Sequence, residues 1–197
     1  LTSCPRPFNM QLTYIHHSCF AAEGDDFVIV YDYWTDSEGR LARMLEQTLV
    51  QGKEVYFIIS HFHTDHYNAE IPTWCTEHEH WHLLPSYDTI RRRRIDKSLP
   101  LAELRPGTVV KTPHFTLHAY HSTDMGISSV TQLTDGTTLY HAGDNNNWYF
   151  PTSDLPASTK VRISPDDMEK LYLSTLREIK ADFPKLDHAM LPVDHRL

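Results

Sequence analysis

Four side chains able to bind a cation fall within six residues at His61-Phe62-His63-Thr64-Asp65-His66. Imidazole and carboxylate donors without a thiolate suit zinc, manganese or iron. The run follows directly on the apolar segment Val55–Ser60. The ligands would therefore stand on a loop at the end of a buried strand, where a rigid sheet edge can turn several of them inward. The competing reading is a solvated polar loop, and four ligand-type residues in this order weigh against it. Asp144 adds a carboxylate after a strand-like segment and the small pair Ala142-Gly143, which lets the backbone approach a site closely. Such a donor set can activate water for hydrolysis, with Asp65 orienting the attacking oxygen and passing on its proton. No serine- or cysteine-centred triad is visible.

The elements that must position these groups follow from periodicity. Gln11–Ile15 and Cys19–Ala22 read as short strands around a His16-His17-Ser18 turn, and Phe27–Tyr31 as a buried strand ending at Asp32. A helix is expected over about 38–51, with Leu41, Met44, Leu45, Thr48 and Leu49 on one face, Asp36 or Ser37 as its cap and Gly52 at its end. Val55–Ser60 is apolar nearly throughout, as in a strand covered on both faces. Residues 67–114 are broken by Pro72, Pro85, Pro100, Pro106 and Pro113 and give no clear pattern. Phe115–Tyr120 alternates as a strand, and Ser129–Thr134 and Thr137–His141 flank the hairpin signal Asp135-Gly136. Residues 145–163 read as an irregular loop. A second helix is expected over about 165–180, capped by Ser164, with Pro165 in its first turn and a stripe of Met168, Leu171, Tyr172, Leu176 and Ile179. His188–Val193 reads as a last strand. The order fits two βα layers packed face to face. Residues 1–9 are expected to be an unstructured extension, with a natural start near Met10, and residues 10–197 a single domain.

The His61–His66 run resembles the HxHxDH signature of the metallo-β-lactamase-like hydrolases. Other segments, spread over most of the chain, are similar to further motifs of that superfamily. His16-His17-Ser18-Cys19-Phe20 resembles an early strand and turn, and Val30-Tyr31-Asp32 a buried strand ending in aspartate. Ser122-Thr123-Asp124-Met125-Gly126 and His141-Ala142-Gly143-Asp144 resemble the third and fourth motifs, and Pro192-Val193-Asp194 a late strand. The branch resembled includes lactonase-like and phosphodiesterase-like members. The resemblance implies an α/β fold, a four-layer αββα sandwich that here is short at its C-terminus. It also implies two divalent ions, zinc first, with manganese or iron as alternatives.

On this resemblance His61 and His63 would hold the first ion, Asp65 and His66 the second, and Asp144 would bridge them. The third-motif ligand is His121, as in most of the superfamily, or Asp124, as in the nearest branch. The superfamily's final histidine is absent, replaced by His195, or carried by a longer natural chain. His17 would lie near the mouth of the site or simply make a turn contact. Asp32 would support the metal loop or cap its strand, and Asp194 belongs with these supporting or substrate-facing residues. The implied activity is a dinuclear hydrolase whose metal-bound hydroxide attacks an ester, lactone, amide or phosphodiester. An iron-dependent oxidoreductase on the same fold and a non-catalytic relative with an incomplete second site are the alternatives.

Composition narrows the partners. The formal charge of −8 disfavours bulk nucleic-acid binding, which uses basic faces, and leaves a small-molecule substrate as the expectation. Homo-oligomerisation stays open. Three cysteines make no disulfide framework and point to a reducing compartment, so a cytoplasmic location is expected. No apolar run reaches the roughly 20 residues of a membrane span, and no signal peptide is visible. His78, His80 and His82, interleaved with Glu77, Glu79 and Trp81, read as a solvated segment or a stray metal site, and Arg91–Arg94 as surface or as a run that steers an anionic substrate. Trp148 and Tyr149 would line a pocket or pack in the core.

Overall fold

In the computed structural model, which describes residues 10–148 and 163–193, the chain divides into two compact units, Leu1–Glu103 and Leu104–Leu197. The first unit holds a five-stranded sheet in the order β1 (Gln11–His16), β2 (Cys19–Glu23), β3 (Phe27–Tyr31), β4 (Glu54–Ile59) and β5 (Trp81–Pro85). The first three strands meander antiparallel, while β3, β4 and β5 run parallel. Parallel neighbours need crossovers. These are α1 (Arg40–Gln51) between β3 and β4 and α2 (Ile71–Glu77) between β4 and β5, with α3 (Tyr87–Arg93) following β5.

The residues that build these elements are those the periodicity marks, with instructive exceptions. Leu41, Leu45 and Thr48 bury one stripe of α1, whereas Leu49 is half exposed. Leu49 stands one residue, about 100° of helical turn, beyond that stripe. Asp36 caps the helix, its two carboxylate oxygens accepting from the N–H groups of Arg40 (2.9 Å) and Ala42 (3.0 Å). Gly39 and Gly52 bracket α1 in the left-handed region, at φ 64° and 67°. Val28 and Val30 of β3, Val55, Phe57 and Ile59 of β4, and Trp81 and Leu83 of β5 form the sheet's part of one core with Leu41, Leu45, Ile71 and Cys75. Ile29, Tyr31 and Ile58 are buried on the opposite face, which explains why these strands are apolar without alternation.

The second unit holds a sheet in the order β10-β9-β8-β7-β6, made of β6 (Val109–Lys111), β7 (Phe115–His121), β8 (Ile127–Leu133), β9 (Thr138–His141) and β10 (His188–Met190). Asp135-Gly136 turns β8 into β9 as the hairpin signal requires, with Gly136 at φ 93°. The helix α4 (Pro165–Asp182) starts at Ser164, whose hydroxyl accepts the Asp167 N–H. It buries Met168, Thr175 and Ile179, and Ile179 joins a core of Tyr120, Val130, Tyr140, Ala142 and Phe183. Leu171, expected on the buried stripe, is exposed. Leu171 stands about 60° of helical turn off the line of Met168, Thr175 and Ile179, at the margin of the buried face. Among the described residues no helix is long and apolar enough to cross a membrane.

Candidate metal centre

Register collects the first unit's functional groups at one edge of its sheet. Phe20 pairs with Tyr31, Tyr31 with Ile58, and Ile59 with Pro85. The β1–β2 turn at His17, the end of β3 at Asp32, the end of β4 at Ser60 and His61, and the start of α3 are therefore neighbours. Asp32 and His17 both take left-handed backbone, at φ 46° and 52°. Such conformations are uncommon outside glycine and concentrate at functional sites.

Asp32 is fully buried and organises this edge. Its Oδ1 accepts the Ser60 backbone N–H at 2.7 Å. Its Oδ2 accepts the Ser60 hydroxyl at 2.5 Å and His66 Nδ1–H at 2.7 Å. Because the Ser60 proton goes to Asp32, the 3.0 Å contact between Ser60 Oγ and His61 Nδ1 has the imidazole as donor. One carboxylate thus fixes two tautomers. His61 and His66, both fully buried, carry their protons on Nδ1 and their lone pairs on Nε2. This is the arrangement in which outer carboxylates and hydroxyls hold metal-binding histidines. Asp32 therefore ties the end of β3 to Ser60 and His66.

The remaining ligand-type groups converge on the same place. His61 Nε2 and His63 Nδ1 are 3.0 Å apart. The ring centroids of His61 and His66 are 4.1 Å apart. His17 Nε2–H donates to Asp65 Oδ2 at 3.1 Å, and His66 Nε2 lies 3.9 Å from that same oxygen. Ligand atoms of Asp32, His61 and His66, and of His17, Asp65 and His66, each lie within 4.8 Å of one another. Two atoms held about 2.0–2.2 Å from one tetrahedral ion stand roughly 3.3–3.6 Å apart. Spacings of 3.0 Å and 3.9 Å bracket that span, and an all-nitrogen-and-oxygen donor set suits zinc, manganese or iron. The residues present fit a divalent ion.

The residues between the ligands are tied to α3. Arg93 Nε donates to the Phe62 carbonyl at 2.7 Å, and Nη2 donates to Thr64 Oγ1 at 3.1 Å. Its guanidinium also lies 5.2 Å over the Tyr67 ring, while Arg92 lies 5.4 Å over Phe62. Arg91, Arg92 and Arg94 are exposed, as a surface run is, whereas Arg93 is partly buried and holds the loop. Ser60 was missed, as the plain end of a strand. Beneath the site, burial first and then the charges of Asp32 and Asp36 push the Cys19 thiol well above its ordinary range, so no thiolate is available there. His80 and His82 both bond to Glu54 and belong to no group of three converging metal ligands among the described residues.

In the second unit the pairings His121 with Ile127 and Ser129 with His141 put the loops of Asp124 and Asp144 at one sheet edge. Their carboxylate oxygens lie within 4.8 Å of one another. Thr123 joins the two loops: its N–H donates to Asn145 Oδ1 (3.2 Å), its hydroxyl donates to the Asn146 carbonyl (2.7 Å), and Asn146 N–H donates back to that hydroxyl (2.9 Å). Trp148 Nε1 donates to the Asp144 carbonyl at 2.7 Å. Thr123 and Asn145 carry no metal-type signature, so the sequence did not mark them. His121 is exposed at the end of β7, and among the described residues it is in no group of converging ligands. Asp194, His195 and Tyr149 lie outside the described residues.

Residues 11–196 match the family model described as the β-lactamase superfamily domain. Among solved structures the chain is similar to Igni18, a metallo hydrolase from the archaeon Ignicoccus hospitalis, at 22% identity and a TM-score of 0.52, over 69% of this chain and 61% of that one. It is similar to CmlA, a diiron β-hydroxylase from Streptomyces venezuelae, at 14% identity and a TM-score of 0.59, over 94% of this chain and 34% of that one. A Cronobacter sakazakii metallo-β-lactamase with a HARLDQ motif gives 15% identity and a TM-score of 0.54, over 88% and 70% of the two chains. The chain thus spans less than two thirds of Igni18 and about a third of CmlA. At these identities the likeness is one of fold. No curated protein sequence matches.

Proposed function

The chain belongs to the β-lactamase superfamily domain family and has its metallo-β-lactamase fold, and from that premise we propose that it is a metal-dependent hydrolase of esters, lactones, amides or phosphodiesters. The observation that carries the proposal is the buried network in which Asp32, directly and through Ser60, turns the Nε2 lone pairs of His66 and His61 outward from the end of β4. Outer partners of this kind fix the tautomer and ring orientation of metal-binding histidines. His61 and His63 would hold one ion, and Asp65 and His66 a second. In the second unit Asp124, whose carboxylate lies within 4.8 Å of that of Asp144, is preferred to His121 as the residue of the third motif that would bind metal.

Divalent ions, zinc first, supply Lewis acidity and bring the pKa of a coordinated water toward neutrality. The chain's own groups do the rest. Asp65 keeps 43% of its side chain exposed and is oriented by His17. It takes a proton from the attacking water as the new bond to carbonyl carbon or phosphorus forms, and returns that proton to the leaving oxygen or nitrogen as its bond breaks. Asp32 and Arg93 hold the ligand loop in place throughout.

The test combines metal analysis with lactone, ester, amide and phosphodiester substrates for the wild type and Asp65→Ala. Hydrolysis in the metal-loaded wild type and a loss of at least about 100-fold in the variant are expected. Full activity in folded Asp65→Ala would refute the assignment. Iron with redox-active spectra and no hydrolysis would point to an oxidoreductase on the same fold.

A further inference from the structure

Two features of the β1–β2 turn exceed what a turn needs. A histidine, not a glycine, holds the left-handed position at φ 52°, and its imidazole reaches across to Asp65, 48 residues away in sequence. A non-glycine residue in this region costs on the order of 1–3 kcal/mol and persists where the surroundings over-determine it. We propose that His17 is a direct ligand of the second ion, so that His17, Asp65 and His66 form a three-residue metal site contained within the first unit. The proposal rests on the metal-dependent reading above and changes its second site: His17 becomes a ligand instead of a residue that merely orients Asp65.

The geometry supports each part. Ligand atoms of the three residues lie within 4.8 Å of one another. His17 Nε2 and His66 Nε2 stand 3.1 Å and 3.9 Å from the same Asp65 oxygen, on either side of the roughly 3.3–3.6 Å expected between atoms sharing a tetrahedral ion. His66 binds Asp32 through Nδ1, so Nε2 is the atom it presents. The His17 and His66 rings meet edge to face at 76°, with centroids 5.5 Å apart, so they converge instead of stacking. Trp34 packs against both His16 and His17, with centroids 5.7 Å and 6.2 Å away, and limits the rotation of His17. Two imidazoles and one carboxylate are a donor set that zinc takes in hydrolytic sites, which keep a fourth position open for water or substrate. His17 and Asp65 are 45% and 43% exposed, so the open position would face solvent.

The test is a cobalt(II) titration of the full chain, read by visible absorption and by equilibrium dialysis, for wild type and His17→Gly. Glycine suits the left-handed backbone and removes only the imidazole, and circular dichroism checks the fold. The expected result is two ions bound by the wild type and one bound tightly by His17→Gly, with added imidazole restoring the second. Loss of an outer partner weakens metal binding about 10–100-fold, so a direct ligand requires a larger loss at the second site alone. Equal uptake by both proteins, or two ions still bound by His17→Gly with only that smaller weakening, overturns the proposal and leaves the hydrolase reading intact. A wild type that binds no metal overturns both.

Discussion

Replacing Asp32 by asparagine isolates the control of tautomers from the ligands themselves. Asp32 receives three donors, the Ser60 N–H at 2.7 Å, the Ser60 hydroxyl at 2.5 Å and His66 Nδ1–H at 2.7 Å, all out of reach of water. Asparagine keeps the shape and one accepting oxygen. If that oxygen serves the Ser60 N–H, the amide NH2 faces Ser60 Oγ and His66 Nδ1. The serine hydroxyl can rotate to accept. His66 can accept only by moving its proton to Nε2, which removes the lone pair it presents. Loss of one charge-assisted hydrogen bond costs about 1.5–3 kcal/mol, less than the 5–15 kcal/mol typical of a whole fold, so Asp32→Asn should fold. Alanine would leave three buried donors at about 1–3 kcal/mol each and confuse unfolding with loss of function. Metal affinity of Asp32→Asn should fall about 10–100-fold, or roughly 1.4–2.7 kcal/mol. Competition against a chromophoric chelator measures the affinity, and nitrogen-15 shifts of the His66 ring report its tautomer. Binding as tight as in wild type, with His66 still protonated on Nδ1, would refute the reasoning.

Three further outcomes are expected. Arg93→Ala frees the Phe62 carbonyl and Thr64 from α3 and should weaken metal binding about 10–100-fold in a folded protein, with Arg93→Lys recovering part of it; unchanged chelator competition would show that Arg93 is only structural. Burial alone would raise the Glu54 carboxyl, but bonds to His82 and His80 outweigh it and hold the group below its ordinary range. Because the folded pKa is depressed, the stabilisation exists above the unfolded value and disappears as pH falls through the folded one. The urea midpoint of wild type should therefore exceed that of Glu54→Gln at about pH 6, with the gap closing as pH falls through the depressed folded pKa, and a gap that does not narrow in acid would contradict this. Burial pushes the Cys75 thiol up to about 12, and Cys19 is buried too, so iodoacetamide at neutral pH should modify both only after denaturation, as peptide mass spectrometry can show.

What the sequence revealed and concealed divides along one physical line. The β3 and β4 strands and both long helices are local patterns of apolar residues, and they appear where periodicity places them. The ligand loop is legible because its donors are adjacent. β5 was hidden because Trp81–Pro85 is short, preceded by histidines and ended by proline, and its identity depends on pairing with β4 instead of on its own pattern. Arg93 was hidden for the same reason. Its partners are a backbone carbonyl 31 residues away and a threonine hydroxyl, and no spacing encodes them. Ser60 becomes a relay only because parallel register sets it beside Asp32. The ambiguity between His121 and Asp124 had no local solution either. His121 ends β7 and Asp124 stands three residues beyond it, and only the folded second unit brings the Asp124 carboxylate within 4.8 Å of Asp144, while His121 joins no group of converging ligands among the described residues.

The proposed hydrolase activity depends on metal held by the His61–His66 loop. The most direct measurement strips the protein with a chelator, then follows hydrolysis of the substrate panel as zinc is returned to wild type and to His61→Ala. The account predicts an inactive metal-free protein, recovery that tracks bound metal in the wild type, and none in the variant. Hydrolysis by the metal-free chain, or equal recovery in His61→Ala, would contradict it.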